Sequence, residues 1–386
     1  MLRKKVHQGK IAPYARALCE QLGNSPQRVP VLWGLWRFHL MRGELRTAQA
    51  LAEECLQLAE QTNEAGLLVE AHYVAGTTFL FRGEFVRAWG ALEQSVALSQ
   101  PQHHTLPPLS GGFSPRVGSL SNAILALWSL GYPEQALTRA HEALHLAQEL
   151  SHPYSLALAL NYAARLHFER GDGRVVQDRA DATVALSSEQ GFPLYLVLGT
   201  ACRGGALIAQ EQWAEGIAQI RQGLEAYTGG VLKTVHLAWL ATGYGGTGQV
   251  DEGLAAIAEA LRLVEKNDER IYEAEVYRIK GELLLAQEIK NQKAKGKSQK
   301  SKIPNTQPLA PSPQAEACFL KAIEIARKQQ AKSLELRATM SLARLWQQQG
   351  KKESARQMLA EIYGWFTEGF DTKDLKETGA LIEELT

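Results

Sequence analysis

Apolar residues recur along this chain at the spacing of one helix face, in runs of about 14 residues that end at a shared kind of stop. The stop is a glycine at Gly43, Gly83, Gly131, Gly171, Gly248 and Gly350, with Glu211 and Glu288 in the same phase. Most neighbouring stops stand about 40 residues apart, a period that marks stacked repeats. Glycine ends a helix because it enters the left-handed backbone region without steric cost. Each stop therefore predicts a turn between a helix A before it and a helix B after it.

A second register runs on either side of the stops. Seven positions before them stand Trp36, Gly76, Ile124, Ala164, Gly204, Ala241, Gly281 and Ala343, mostly small. Four before them the residues are bulky: His39, Phe79, Leu127, His167, Leu207, Tyr244, Leu284 and Trp346. Five after them stand Ala48, Ala88, Ala136, Gly216, Gly253 and Ala355, with Val176 as the exception. Small residues facing each other let the A and B axes approach, and bulky ones fill the gap to the next pair.

Several segments break the ruler. The longer step to Gly131 places a Pro-, Gly- and Ser-rich loop at residues 100–115. The longest step places its surplus at residues 289–313, lysine-rich and then proline-rich, which predicts a disordered insertion in the A–B turn of the seventh unit. Ala315 resumes the helix B register after it. Residues 12–22 read as a B-like helix with no A helix before it, making 1–28 a half-repeat with an uncapped face. That predicts a fragment of a longer gene product, with an inactive remnant of a split gene as one alternative reading, or a face covered by another chain, self-association included. Asp371 is expected to cap a last helix within 365–386. The pattern thus predicts an all-α, right-handed solenoid of about eight hairpins, with repeats over 29–288 and 314–364 and a C-terminal capping helix. Such a stack forms a curved wall for holding partners, with no enclosed reaction chamber.

The small-x2-bulky pattern on helix A, followed by Ala315-x3-Phe319-x2-Ala322 or Ala136-x3-Ala140-x2-Ala143 on helix B, resembles the tetratricopeptide repeat, here with longer helices. The resemblance spans residues 29–364. The stretches YRIKGELLLAQ, AEACFLKAIEIARKQQAKSLELRATMSLARLWQQQGK and LAEIYGWFTEGFDTKDLKE resemble the C-terminal repeat region of large bacterial signalling proteins. In those proteins a nucleotide cyclase or kinase domain and a signal-transduction ATPase module precede the repeats. The resemblance implies a non-enzymatic interaction scaffold acting as the sensor or regulatory segment of such an ATPase, with a protein or peptide partner and possible contact with an upstream ATPase or cyclase module. It implies no cofactor.

Composition narrows the setting. A formal charge of +1 over 386 residues supplies no strong field toward nucleic acid or membrane. Cys19, Cys55, Cys202 and Cys318 are scattered without a C-x-x-C pair, which fits a reducing cytoplasm. The basic first residues lack a following apolar stretch, and no run is long enough to span a bilayer.

The candidate chemistry is sparse. His141-Glu142-Ala143-Leu144-His145 matches the H-E-x-x-H zinc-hydrolase helix, with Glu169 as a conceivable third ligand. Its Ala143 and Leu144 fit the packing register of a B helix, so the zinc reading is the alternative and a packing helix the preferred one. Gly296-Lys297-Ser298 lacks both the first glycine of a phosphate loop, since position 291 is Asn291, and the strand before it. His103, His104 and His152 are of metal-ligand type, but the adjacent pair in a Pro/Gly loop reads as solvent-exposed; His39 and His167 occupy the bulky packing position and should be core histidines with a partner. Cys55 and Cys318 follow the packing phase and read as inert. Six lysines within 290–302 lack aromatic residues for base stacking and read as a solvated loop.

The inner wall offers one binding hint. In a tetratricopeptide-like superhelix the A helices line the concave side, and the position six before each stop should face it. Arg37, Arg165 and Arg344 stand there, with Arg278 one turn before Glu282 on the same wall. Arginine forks pair with carboxylates, so these four are the candidate partner-binding residues, and an acidic peptide is the matching guest.

Overall fold

The computed structural model describes residues 17, 27–99, 112–298 and 312–386, with main chain alone at 293–298. Seventeen helices occupy the described residues: α1 (Arg28–Met41), α2 (Leu45–Thr62), α3 (Ala65–Phe81), α4 (Phe85–Leu98), α5 (Pro115–Leu130), α6 (Pro133–Glu149), α7 (Pro153–Arg170), α8 (Gly173–Gln190), α9 (Pro193–Ala209), α10 (Trp213–Ala226), α11 (Lys233–Gly246), α12 (Val250–Asn267), α13 (Glu273–Ser298), α14 (Pro313–Lys328), α15 (Lys332–Gln348), α16 (Lys352–Tyr363) and α17 (Lys373–Glu384). Consecutive helices pack as antiparallel pairs in line, an all-α solenoid of eight hairpins followed by α17. No helix among the described residues is long and apolar enough to cross a membrane.

The stops do what their chemistry dictates. Gly43, Gly83, Gly131, Gly171, Gly248 and Gly350 all have φ between 72° and 96°, and Glu211 matches them at 61° despite its side chain. The small-residue register brings α9 and α10 to near contact. A Cβ on Gly204 would lie 2.9 Å from the Gly216 carbonyl oxygen, and one on Gly216 would lie 2.9 Å from that of Gly204. Ala48, Ala88, Ala136 and Ala355 are fully buried at the matching B positions.

Glu288 departs from the series. It is no turn: α13 continues through it to Ser298, ten residues into the predicted insertion. Glutamate, glutamine, alanine and lysine are good helix formers, and no glycine stands between Glu288 and Gly296 to stop them. Residues 299–311 lie outside the described residues, as do nearly all of the predicted half-repeat at 1–28, with Cys19, and the loop residues His103 and His104. The end of that loop is no surface feature. Phe113 is 1 % exposed and packs against Tyr73 and Tyr154 at ring separations of 5.4 and 6.4 Å. Asp371 does not cap α17, whose N-cap is Thr372; its carboxylate instead takes a 2.6 Å hydrogen bond from Arg170 Nη2.

The stack winds far enough for later hairpins to lean on earlier ones. The first four A helices end in carbonyls that lack helical donors. Each receives a donor from a distant element. Gly230 N–H donates to Met41 O at 2.7 Å, and Arg270 N–H to Phe81 O at 2.9 Å. Ser333 Oγ donates to Trp128 O, and Arg337 Nη2 to Glu169 O, both at 2.6 Å. At this seam Gly43 has a second role, since a Cβ there would sit 2.7 Å from the Asn267 side chain and 3.0 Å from Gly230 O. The open wall expected from sequence is thus drawn closed along one edge, and a single apolar cluster runs from Val29 through Leu334.

Candidate functional site

The inner wall is built by the A helices, and its second half holds a groove of about 270 Å³. Phe168, Glu169, Trp239, Tyr272, Arg278 and Arg344 are among its lining residues. Helical spacing puts Arg165, Glu169 and Phe168 on adjoining parts of one α7 face. Trp239 of α11 reaches Phe168 at 4.3 Å because Gly205 of the intervening α9 has no side chain to separate them.

A network of buried charges crosses this wall. Arg337 Nη1 donates to Glu169 Oε2 at 2.6 Å and its Nε to Asp374 Oδ2 at 2.7 Å, while its guanidinium covers the Trp128 ring at 4.7 Å. Tyr272 donates its hydroxyl to Glu169 Oε1 at 3.1 Å, and Trp239 Nε1 donates to the Tyr272 oxygen at 3.3 Å. Burial raises the Glu169 carboxyl above its ordinary value, against the opposing pull of Arg337. Glu275, fully enclosed too, is held low by Arg278 despite its burial.

The four candidate arginines fall into two kinds. Arg278 spends its fork on Glu275, through Nε at 2.8 Å and Nη2 at 2.7 Å, and also bonds Glu282. Arg344 pairs with Glu377 at 2.6 Å near the surface. Arg37 has no ion pair among the described residues; its guanidinium lies 5.6 Å from the Trp33 ring and 5.9 Å from that of Phe113. Arg165 is 4 % exposed, and its Nε and Nη1 are buried without a hydrogen-bond partner. Sequence placed all four on one wall; the Arg278 partners Glu275 and Glu282 are its helical neighbours, whereas Glu377, the partner of Arg344, is set by the fold and could not be read there.

Around Arg165 the polar groups are unusual. Glu269, 0 % exposed, accepts from Leu232 N–H at 2.7 Å and Thr234 Oγ1 at 2.8 Å through Oε1, while Oε2 is left without a partner. Burial pushes its carboxyl up to about 7. His236 is held neutral, with burial and then the Arg165 charge driving its imidazole down to about 3. Neither residue stands out in sequence. Glu269 follows a turn and His236 sits mid-helix, where only the winding of the chain encloses them.

The H-E-x-x-H residues do not converge. His141, Glu142 and His145 lie on the exposed face of α6, where Glu142 bonds Arg139 at 2.8 Å and His145 faces Glu149 at 3.3 Å. Glu169 points to the inner wall and is occupied by Arg337 and Tyr272. Among the described residues no group of three or more His, Cys, Asp or Glu is placed to hold a metal ion. His152 accepts from Ser155 N–H at the start of α7. His39 and His167 each meet a carboxylate, Glu44 and Asp172. Cys55 is buried, with its thiol pushed up to about 12.

No family model and no curated protein matches the chain. Solved structures do. A Rap protein complexed with competence and sporulation factor aligns over 93 % of this chain and 98 % of its own, at 9 % identity and a TM-score of 0.54. An IFIT1 monomeric mutant with Gppp-AAAA covers 97 % and 76 %, at 15 % identity and 0.48. A signal transduction ATPase with numerous domains carrying a tetratricopeptide repeat sensor, from Pyrococcus horikoshii, covers 98 % of this chain and 54 % of its own, at 13 % identity and 0.43. The fold is an all-α, tetratricopeptide-like solenoid.

Proposed function

We propose that this chain is a non-enzymatic scaffold that holds a protein or peptide along the inner wall of its A helices. The observation that carries the reading is Arg165, enclosed on that wall at 4 % exposure with Nε and Nη1 lacking hydrogen-bond partners. Arg37, with no ion pair among the described residues, extends the same basic character toward the first hairpin. An acidic guest complements both. The Rap protein of this fold is seen in complex with competence and sporulation factor, which supports the reading by analogy. The setting we propose, a cytoplasmic sensor segment of a cyclase- or kinase-linked signalling ATPase, is supported by the resemblance of the C-terminal stretches alone. In that setting a bound partner biases the winding of the solenoid and so the attached or separate catalytic module.

Selection of a randomised peptide library on the purified chain tests the scaffold reading. The expected result is a family of acidic peptides whose binding falls at least tenfold on the Arg37→Glu chain and is unchanged on the outer-face variant His141→Glu. Failure to enrich any peptide family, or equal loss on both variants, overturns it.

A further inference from the structure

Between α16 and α17 the chain leaves its own hairpin and lies across two early ones, hairpin 3 (α5 and α6) and hairpin 4 (α7 and α8). Glu368 takes over the start of α6. Its Oε1 accepts from the Glu134 and Gln135 N–H groups at 2.9 and 3.2 Å, where the helix's own N-cap, Tyr132, makes no side-chain bond. Glu134 returns the bond, its Oε1 accepting from Gly369 N–H at 3.0 Å. The pair acts as a reciprocal cap between residues 234 positions apart. Asp371 accepts from Arg170 at the end of α7, and Lys373 rests on Gly171, where a Cβ would lie 2.7 Å from it. Trp365 lies 5.6 Å from the Tyr132 ring and stays 36 % exposed.

The two sides of this strap are held differently. Toward hairpin 8 (α15 and α16) it is apolar. Phe366, Leu375, Leu381 and Leu385 share a cluster with Leu336, Leu359 and Ile362, and that cluster contains no residue of hairpins 3 and 4. Toward hairpins 3 and 4 it is held chiefly by hydrogen bonds and an ion pair open to water, the Asp371 side chain being 64 % exposed. Exposed ion pairs contribute little and weaken as salt rises. The strap can therefore let go of the early hairpins while α17 stays seated on hairpin 8.

The strap also sets the width of the groove. Glu169 and Gly171 stand on one bank, Arg344, Lys373, Asp374 and Glu377 on the other, and the strap ties the two together. At about 270 Å³ the tied groove falls short of the ~300–1,000 Å³ typical of ligand-filled pockets. We propose that residues 365–373 are a releasable clasp. Fastened to hairpins 3 and 4 it keeps the groove narrow; released, it lets the banks part and a partner enter, with the Arg337–Glu169 contacts as the pivot. This deepens the scaffold reading by naming what controls access to the inner wall, and the gate rests on that reading. The release of the clasp is measured without any partner.

Residue-resolved hydrogen–deuterium exchange of the full chain compares wild type with the double variant Trp365→Ala, Asp371→Asn. Neither substitution removes Glu368, so faster exchange at the Glu134 and Gln135 amides reports the strap leaving them. These two amides and that of Gly369 are expected to exchange at least tenfold faster in the double variant. Wild type should move the same way when NaCl rises from about 0.1 M to about 1 M, which cuts the screening length from about 10 Å to about 3 Å. Exchange at Leu381 and Leu385 should stay unchanged, since α17 remains seated. Unaltered exchange at the three amides, or equal acceleration through the whole of α17, overturns the clasp. The randomised peptide library is then selected on both chains, and shared peptides should bind the double variant at least tenfold tighter. Equal or weaker binding overturns the gate and keeps the scaffold. No enriched family on either chain discards scaffold and gate together, while the exchange data still decide whether the clasp releases.

Discussion

Arg337 and Glu169 stand 168 residues apart and meet twice, Nη1 on the carboxylate Oε2 and Nη2 on the main-chain carbonyl, each at 2.6 Å. One side chain therefore both neutralises a buried acid and caps the end of α7. Helix C-termini present unpaired carbonyls, and in α1, α3, α5 and α7 these are answered by donors from the second half of the chain. The seam follows from that shared need. It turns a row of nearest-neighbour hairpins into a structure with contacts between distant units, as between α5 and α15.

Removing the fork should open the seam. Arg337→Met leaves Glu169 and Asp374 without their guanidinium, and loss of one partner of a buried pair costs about 3–5 kcal/mol. Urea unfolding of Arg337→Met should show a loss of that order, and the double variant Arg337→Met with Glu169→Gln should regain part of it. An unchanged midpoint would show that the seam contributes nothing.

The α9–α10 approach should tolerate no side chain. In Gly204→Val the new Cβ would meet the Gly216 carbonyl and Ile220 at 2.7–2.9 Å. Overpacking of this kind costs about 1–3 kcal/mol, more where backbone must move. Thermal unfolding should fall accordingly, whereas Gly90→Ala, mid-helix at a glycine with open space around it, should stabilise by about 0.5–1 kcal/mol.

Two enclosed groups give the stability a pH signature. The Glu269 carboxyl is raised from an ordinary 4.5 to about 7. Below pH 4.5 both folded and unfolded chains hold the proton, so no penalty exists. Between 4.5 and 7 the unfolded chain releases it first, stability falls as pH rises, and the full penalty stands above 7. Glu269→Gln should therefore be more stable than wild type at pH 8, on the order of 3 kcal/mol, and equal to it at pH 4. His236 works from the other side. Its imidazole is lowered from 6.5 to about 3, so the unfolded chain gains protons first as pH falls below 6.5 and stability drops toward pH 3. His236→Phe, which keeps a ring against Trp239, should flatten that acid limb in urea titrations.

The fold was legible because a repeat states its rule many times. The glycine stops and the small residues at Gly204, Gly216 and Ala136 each report a local event, a turn or a close approach, and local events are written in adjacent residues. Glu211 shows the strength of the phase, since it takes a left-handed backbone at φ 61° that its own chemistry disfavours. Glu288 shows its limit, because phase without glycine did not stop a helix of good formers. The inner wall was legible as a list of arginines and no further. Arg278 is spent on Glu275 and Glu282, its neighbours on one helix face, but whether Arg344 meets Glu377 or Arg165 is left without an ion pair depends on which elements the winding brings together. That winding is fixed by seam contacts such as Gly230 to Met41, which no local pattern records.

Hydrogen–deuterium exchange of the full chain with and without a selected acidic peptide locates the partner directly. Slowed exchange should gather in α7, α9 and α11, the A helices that carry Arg165, Cys202 and His236. Protection confined to the B helices α2, α4, α6 and α8 would place the partner on the outer face and contradict a binding wall inside the solenoid.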